Sequence, residues 1–203
     1  MSARQQSRYA VALLPLALGL FALDAPASAQ QFDVSSGRAA IVSATNAYRQ
    51  QKGLSALRQH AGANRVAQAY ATYLARTNKT GHGADGRSPS QRLRAGGVTY
   101  CKFRGENWHR SWTRPKRASL SAAMGKAMAF WKRSPGHERA LRSASTDIGV
   151  GVAGWKHGDR WIYTKVQMFI DTTCRGGSPP AAASDTDSEQ VPSLPDRNPQ
   201  RLP

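Results

Sequence analysis

Two alternating segments near the end of the chain constrain the fold more than any other feature of the sequence. Residues 146–155 place β-branched apolar side chains on one face and glycines on the other, and residues 161–170 form a second strand-like segment. A Gly-Asp pair at positions 158–159 separates them, which is typical of a hairpin turn. The sequence therefore predicts an antiparallel hairpin.

The segments before this hairpin have the periodicity of helices. Apolar residues recur at helical spacing most clearly over residues 61–76, which predicts an amphipathic helix there. Three glycines within residues 81–86 predict a loop that presents His82 just after this helix. Further helices are predicted over residues 35–51, from Ser88-Pro89 to Gly96-Gly97, and over residues 119–133, with another turn beginning at His137.

The two ends of the chain differ in composition from the middle. Two arginines, an apolar run over residues 9–23 and a small-residue cleavage site predict a signal peptide over residues 1–29. The run is too short for a membrane span, which takes about 20 apolar residues. Residues 176–203 contain six prolines and no apolar periodicity, which predicts a disordered tail. We therefore expect one secreted or periplasmic domain over residues 30–175, with no transmembrane segment.

The chain is strongly basic. It contains 29 Lys and Arg against 12 Asp and Glu, and its net charge is +17. A field of this sign attracts polyanions and anionic membrane surfaces. Nucleic acid fits the charge as well, but no nucleic-acid-binding motif accompanies it, so nucleic acid is a minor option.

The chain has two cysteines, Cys101 and Cys174. In an exported protein, an even number of cysteines most simply indicates disulfide pairing. The bridge would join the middle of the domain to its last ordered residues. The alternative, two free thiols, suits an oxidising compartment poorly.

Residues 101–117 combine one acid with many bases and two tryptophans. In this segment, seven Lys, Arg and His residues flank Glu106 in sequence. Glu106 is therefore either part of a functional site or a surface carboxylate that balances the charge of its neighbours. Guanidinium groups pair with phosphates and indoles settle in a headgroup layer, so this segment is predicted to bind polyanions or lipids. The alternative is a solvated basic loop with one indole packed on the core. The predicted contacts are Lys102, Arg104, Trp108, Arg110, Trp112, Arg114, Lys116 and Arg117.

Seven short motifs follow one another in an order that resembles a known family. They are Asn46-x-x-Arg49, Gly53-Leu54-x-x-Leu57, Gly81-His82 with Asp85-Gly86, Gly105-Glu106-Asn107, Trp131-x-x-Ser134-Pro135-Gly136-His137, Thr146-Asp147-Ile148-Gly149-Val150-Gly151 and Val166-Gln167-Met168-Phe169. From about Ser36 to Ile170, the chain resembles the CAP superfamily of cysteine-rich secretory, antigen 5 and pathogenesis-related proteins, in its short bacterial form. Each motif is weak alone, but seven in order over one domain are specific.

The resemblance implies both a fold and a site. The fold would be α+β, a three-layer α-β-α sandwich with a central antiparallel sheet. The site would be a cleft where two histidines meet one or two glutamates. The matching positions here are His82, Glu106 and His137, with Asn107 beside the glutamate.

The expected cleft departs from the family pattern at one position. The family's second glutamate often lies three residues after the tryptophan matched by Trp131, and that position is Ser134. The cleft is therefore expected to contain two histidines and one acid. Glu138 and Asp147 are the nearby acids that could compensate for the missing glutamate.

Three uses of the cleft groups stay open. His82, His137 and Glu106 suit zinc or another divalent cation, because three protein ligands with a water in the fourth place is a catalytic type of site. Without metal, the two histidines could act as acid or base through Glu106. They could also simply hydrogen-bond Glu106 and hold a helix to the sheet. No serine or cysteine nucleophile stands in any motif, which argues against an enzyme.

We interpret the chain as a secreted CAP-domain binding protein that engages anionic envelope lipid, lipopolysaccharide or cell-wall polymer. The resemblance favours this partner class, because eukaryotic family members are associated with sterols, lipids and polyanionic glycans. One alternative is a zinc-dependent hydrolase of peptide or ester bonds that uses His82, Glu106 and His137. Another is a secreted polyanion-binding effector that acts on another cell. We expect a monomer.

Overall fold

The computed structural model describes residues 33–113 and 120–174, so the predicted signal peptide and tail lie outside the described residues. The described residues form five helices and four strands: α1 (Val34–Gln51), β1 (Arg58–Gln59), α2 (Ala61–Thr77), α3 (Pro89–Ala95), β2 (Lys102–Thr113), α4 (Leu120–Arg133), α5 (Pro135–Leu141), β3 (Asp147–His157) and β4 (Arg160–Asp171). The predicted helices correspond to α1 through α4, and the further turn at His137 belongs to α5. No helix in these two ranges is both long enough and apolar enough to cross a membrane.

Local sequence signals explain where several helices begin and end. The carboxylate of Asp33 accepts the first free N–H groups of α1. Helix α3 begins with a capping box between Ser88 and Gln91, and Pro89 occupies its first turn. Helix α2 ends at Asn78, which adopts the left-handed conformation with φ 55°.

The predicted hairpin is confirmed. Strands β3 and β4 pair antiparallel along their whole lengths, from Asp147 opposite Ile170 to His157 opposite Arg160. Gly158 takes a positive φ of 55° in the turn between them. Strand β2 pairs antiparallel on the other side of β4, and the two-residue β1 pairs parallel to β3. The strand order β1-β3-β4-β2 makes β4 central and leaves β2 at an edge.

Strand β2 is the long element that the sequence patterns did not predict, and the two-residue β1 was not predicted either. Residues 102–113 carry many charges, and these obscure the alternation that would indicate a strand. An edge strand accepts such residues because one of its sides lies open to solvent, and charges there discourage pairing with another chain.

Helices cover both faces of the sheet. Helices α2 and α3 pack on one face, and α1, α4 and α5 pack on the other. Residues that share the α2 face include Leu74, Leu93, Trp108, Val166 and Met168, and residues that share the α4 face include Ile41, Trp131, Val150, Tyr163 and Phe169. The α+β class and the three-layer α-β-α sandwich are confirmed.

Helix α2 lies unusually close to β3. A Cβ at Gly149 would meet the backbone of Ala63, and a Cβ at Gly151 would overlap the backbone carbonyl of Ala67. Backbone atoms of a packed helix cannot move aside as the end of a flexible side chain can. The two glycines therefore set the distance between the helix and the sheet.

We expect Gly151→Ala to lower the free energy of unfolding by about 1–3 kcal/mol, the usual penalty for overpacking a core. Urea denaturation followed by circular dichroism measures the change. Gly125→Ala is the matched control, because Gly125 is exposed on α4 with nothing within 4 Å of the added methyl group. This control should stabilise the protein by roughly 0.5–1 kcal/mol through helix propensity. Equal effects at the two positions would contradict the close approach of α2.

The predicted disulfide is confirmed. Cys101 and Cys174 are bridged, with their Cα atoms 5.4 Å apart and 73 positions between them in sequence. Cys101 immediately precedes β2, and Cys174 lies just after β4. The N–H of Cys101 also donates to the carbonyl of Asp171 at 2.7 Å. The bridge thus ties together the ends of two strands that are already paired.

Candidate functional site

A buried carboxylate on β2 is the centre of the site. Gly105, with φ 146°, lies where the pairing of β2 with β4 shifts by one residue, so that Glu106 points to the α2 face. Its side chain is only 1% exposed. One carboxylate oxygen, Oε1, lies 2.8 Å from Nδ1 of His82, and the other, Oε2, accepts from Nη2 of Arg92 at 2.8 Å.

Arg92 of α3 balances the charge of Glu106, and sequence analysis did not identify it. Its Nη1 donates to the carboxylate of Asp85 at 2.8 Å and to the carbonyl of Arg87 at 2.7 Å. The guanidinium carbon also lies 3.4 Å from the centre of the Tyr70 ring, in a cation–π contact. The guanidinium therefore joins β2, α2 and the loop that carries His82.

The loop of His82 is fixed from a second direction. The hydroxyl of Tyr70 donates to the carbonyl of Gly81 at 2.5 Å and accepts from the N–H of Ala84 at 3.2 Å. Burial raises the pKa of Tyr70, so this hydroxyl keeps its proton. His82 itself stays partly exposed, with 44% of its side chain accessible. The loop thus holds an accessible imidazole against a buried carboxylate.

The second histidine lies close to the first. His137 is in the first turn of α5, and its ring centroid is 6.3 Å from that of His82. Its Nδ1 lies 2.8 Å from Oγ of Ser134, the position at which the resemblance implies a second glutamate. Burial, reinforced by the nearby His82, lowers the pKa of His137 to about 4. His137 is therefore neutral at pH 7.

Asn107 has a different position from the other predicted cleft residues. As the next residue on the strand, it points to the opposite face of the sheet from Glu106. Its Nδ2 donates to the carbonyl of His137 at 3.2 Å and to Oε1 of Gln167 at 3.1 Å. Asn107 thus fastens α5 to the sheet and positions His137 through the backbone.

Neither nearby acid replaces the missing glutamate. Glu138 accepts from the hydroxyl of Tyr48 at 2.7 Å on the α1 side. Asp147 is paired with Arg58 at 3.0 Å, at the start of β3. The cluster around Glu106 therefore has His82 and His137 beside it but neither of these two acids.

The predicted metal ligands fit a divalent ion poorly as they stand. Both oxygens of Glu106 are engaged, and the Nδ1 atoms of His82 and His137 are engaged as well. Within residues 33–113 and 120–174, no three or more His, Cys, Asp or Glu residues are grouped so that they could hold a metal ion. A metal ion here could bind the Nε2 atoms of His82 and His137. It could bind the carboxylate of Glu106 only by displacing Arg92 or His82. The metal site stays a prediction, and the geometry favours a hydrogen-bonded cluster.

The basic, aromatic segment divides between the interior and the surface. Trp108 is buried, and its carbonyl accepts from Nε1 of Trp131 at 3.1 Å. Arg110 is buried as well and donates to the carbonyl of Asn78 at 2.9 Å, while Arg104 pairs with Asp171 at 3.1 Å. Lys102 and Trp112 are exposed. Arg114, Lys116 and Arg117 lie outside the described residues.

The exposed indole of Trp112 belongs to a surface that the sequence did not reveal. Trp112 of β2 and Trp155 of β3 both pair with Ile162 of β4, so the three side chains lie in one row on the α2 face. The indoles of Trp112 and Trp155 are 41% and 43% exposed. The guanidinium of Arg160 lies 4.7 Å from the Trp112 ring, and that of Arg76 lies 5.1 Å from the Trp155 ring. We call Arg76, Trp112, Trp155 and Arg160 the indole surface.

A three-layer α-β-α sandwich with two histidines and a glutamate close together beside the edge strand is the arrangement expected of a small SCP-type domain. The sequence confirms this class, because residues 42–169 match the CAP family, described as the cysteine-rich secretory protein family. The chain belongs to this family. No curated protein sequence matches the chain.

Two solved bacterial structures are similar to this chain. An outer surface protein from Borrelia burgdorferi is 18% identical with a TM-score of 0.50, over 69% of this chain and 97% of its own. An extracellular protein with an SCP domain from Bacillus anthracis is 21% identical with a TM-score of 0.49, over 68% of this chain but only 41% of its own. At these identities the likeness is one of fold.

Proposed function

We propose that this CAP domain is an exported binding protein that attaches to a lipid surface with anionic phosphate headgroups. The observation that carries the proposal is the indole surface, where two exposed tryptophans lie in one row and each has a guanidinium beside it. Export is supported by the signal-peptide pattern of residues 1–29 and by the disulfide. The Borrelia protein of similar fold is described as an outer surface protein, which agrees with such a location.

The geometry of the indole surface suits a headgroup layer. Adjacent strands lie about 4.8 Å apart, so two tryptophans on either side of one strand are roughly 10 Å apart. Both point to the same face and can enter the same layer at once. Tryptophan favours the boundary between headgroups and acyl chains because its ring is apolar and its N–H is polar. Ile162, which lies between them on β4, is buried.

Charge supports the same partner. The guanidiniums of Arg76 and Arg160 can pair with phosphate oxygens while they remain over the indoles. Arg160, whose side chain is 20% exposed, also lies 3.9 Å from the exposed carboxylate of Asp159, a long and weak ion pair that a phosphate can replace. The net charge of +17 attracts the protein to an anionic surface from a distance. Each cation near such a surface contributes about 1 kcal/mol.

Vesicle sedimentation tests the proposal. We expect the purified protein to bind phosphatidylglycerol-containing vesicles, to lose affinity as salt rises, and to bind pure phosphatidylcholine weakly. Trp112→Ala with Trp155→Ala should lower the affinity at least about tenfold, which is 1.4 kcal/mol. Arg76→Gln with Arg160→Gln should lower it about tenfold or more and reduce its salt dependence.

The control for the arginine pair is Lys52→Gln with Arg139→Gln. This variant removes two exposed cations, one just after α1 and one in α5, away from the indole surface. It should change the affinity less than about threefold through net charge alone. Unchanged binding by the tryptophan pair, with its fold intact by circular dichroism, would reject the indole surface. Binding to lipopolysaccharide or cell-wall polymer without binding to these vesicles would reject the lipid.

The other functions considered from the sequence stay predictions. A zinc-dependent hydrolase would need the carboxylate of Glu106, which is held by Arg92 and His82. A secreted effector would share the same basic charge, and no contact in the cleft favours it over a binding protein.

A further inference from the structure

A cavity of about 440 Å³ lies at the end of the sheet where β1 and β3 begin. Its walls come from the connection between α1 and β1, the connection between α5 and β3, and the residues just after β4. None of the described residues that line it belongs to the histidine–glutamate cleft or to the indole surface. We call it the Arg49 cavity, after the cation in its wall.

Arg49 is a buried cation without a carboxylate partner. The residue is only 2% exposed. Its Nε donates to the carbonyl of Ser55 at 2.8 Å, and its Nη1 donates to the carbonyls of Leu141 and Ser143 at 2.8 Å and 2.9 Å. In the part of the chain that the structure describes, no Asp or Glu pairs with this guanidinium, and Nη2 has no acceptor. A guanidinium stays charged in proteins, so this buried charge is left uncompensated.

The unpartnered nitrogen of Arg49 is available to a ligand. Solvent reaches Nη2, because it is not one of the fully buried polar atoms that lack a partner. Arg49 also lines the cavity. The two N–H groups of Nη2 are therefore donors that a bound anion can use.

Two main-chain donors of the same cavity are free as well. Ala144 and Ser145 line the cavity, and within the described residues their N–H groups donate to no backbone carbonyl. Ser145 is buried, and the preceding residue, Ser143, is one that Arg49 binds. Consecutive main-chain N–H groups in a turn can bind an anion together.

The charges around the cavity leave one positive charge unbalanced. Among the described lining residues, Arg49 and Arg58 are the charged ones. Arg58 is already paired, because its Nε and Nη2 donate to the carboxylate of Asp147 at 3.2 Å and 3.0 Å. That carboxylate also accepts from the hydroxyls of Thr146 and Thr172. The charge of Arg49 is thus the one that a ligand can neutralise.

We propose that the Arg49 cavity binds the carboxylate of a small organic acid, which accepts from Nη2 of Arg49 and from the N–H groups of Ala144 and Ser145. A carboxylate carries one negative charge and has about four acceptor positions, which matches one unbalanced guanidinium and these donors. A phosphate group carries up to two negative charges and fits this balance less well. The proposal is independent of the indole surface and of the histidine–glutamate cleft.

The cavity has room for more than the carboxylate group. Its volume lies within the range of small-molecule sites, and Leu54, Ala56 and Ala144 provide apolar contacts for the rest of the ligand. A free organic acid and the C-terminus of a short peptide present the same chemistry to Arg49.

NMR of the purified, ¹⁵N-labelled protein tests the site, with N-acetylalanine as the probe and uncharged N-acetylalaninamide as its matched control. We expect N-acetylalanine to shift the amide signals of Ala144 and Ser145 saturably at millimolar concentration. The amide should bind at least about tenfold more weakly, because it lacks the charge that Arg49 would neutralise. Propionate separates the two sources: equal affinity indicates a free acid, and weaker binding indicates a peptide C-terminus.

Two variants test whether the probe binds in this cavity. Arg49→Lys keeps the positive charge but removes Nη2, and should lower the affinity about tenfold or more. Ala144→Trp fills the cavity from an exposed position without removing the guanidinium, and should also lower it at least about tenfold. Ala39→Trp, at an exposed position of α1 that does not line the cavity, is the matched control and should leave the affinity unchanged.

Three results would overturn the proposal. They are the absence of saturable shifts in the parent protein, tighter binding of inorganic phosphate than of N-acetylalanine, and unchanged affinity in Ala144→Trp. Circular dichroism verifies that each variant is folded, because Arg49 also joins α1 to the connections on either side of the cavity. If Arg49→Lys does not fold, Ala144→Trp alone decides the result, since it leaves those contacts in place.

Discussion

Replacing Arg92 with methionine is expected to lower the free energy of unfolding by about 3–5 kcal/mol, the usual effect of breaking a buried ion pair from one side. The side chains of Arg92 and Glu106 are 5% and 1% exposed, so solvent cannot take the place of the lost guanidinium. The substitution also removes the hydrogen bonds to Asp85 and Arg87 and the contact with the Tyr70 ring. Urea denaturation at pH 7 measures the change.

Two further variants define the origin of this loss. Arg94→Met makes the same substitution two residues further along α3, at a side chain that is partly exposed. It should lower the free energy of unfolding by no more than about 1 kcal/mol. Combining Arg92→Met with Glu106→Gln removes the uncompensated charge, so the double variant should be more stable than Arg92→Met alone. A double variant that is less stable than Arg92→Met would show that Glu106 is held by other groups.

Removing the disulfide is expected to lower the free energy of unfolding by about 4 kcal/mol. The bridge closes a loop over 73 positions, and the chain-entropy relation assigns roughly this value to a loop of that length. The test uses Cys101→Ser with Cys174→Ser, so that no single free thiol remains. Thermal and urea denaturation of the double variant and of the parent protein give the difference.

Chemical reduction is the control for the serine substitutions. Parent protein treated with dithiothreitol should unfold at the same urea concentration as the double variant, because both lack the same constraint on the unfolded chain. A loss below about 1 kcal/mol in both samples would mean that the pairing of β2 with β4 already restrains the two strand ends. The N–H of Cys101 bonds to Asp171 in that pairing, so this outcome has a structural basis.

Much of the candidate site followed from the order of short motifs. The resemblance placed His82, Glu106 and His137 in one cleft, and the structure brings the two rings within 6.3 Å of each other and puts His82 against Glu106. The same reasoning did not find Arg92, whose position in a short helix carries no motif. Nor did it show that Oγ of Ser134 lies 2.8 Å from Nδ1 of His137.

The sequence did not predict which side chains of the basic segment are buried and which are exposed. Consecutive residues of a strand point to opposite faces, so the fate of each charged or aromatic residue in β2 depends on its parity and on the shift at Gly105. That shift directs Trp108 and Arg110 into the α2 layer and leaves Trp112 exposed beyond it. The composition of the segment had instead predicted that all of these residues contact polyanions or lipids.

Periodicity predicted the helices and the β3–β4 hairpin, because these elements depend on residues that are close in sequence. The disulfide was predicted because two cysteines allow only one pairing. The ion pair of Glu106 with Arg92, and the placement of Trp112 and Trp155 in one row, depend instead on the register between strands and on which helix covers which face. Register and layer order arise when distant segments pack together. A linear pattern carries little information about them, since the same alternation fits several pairings that only the completed core distinguishes.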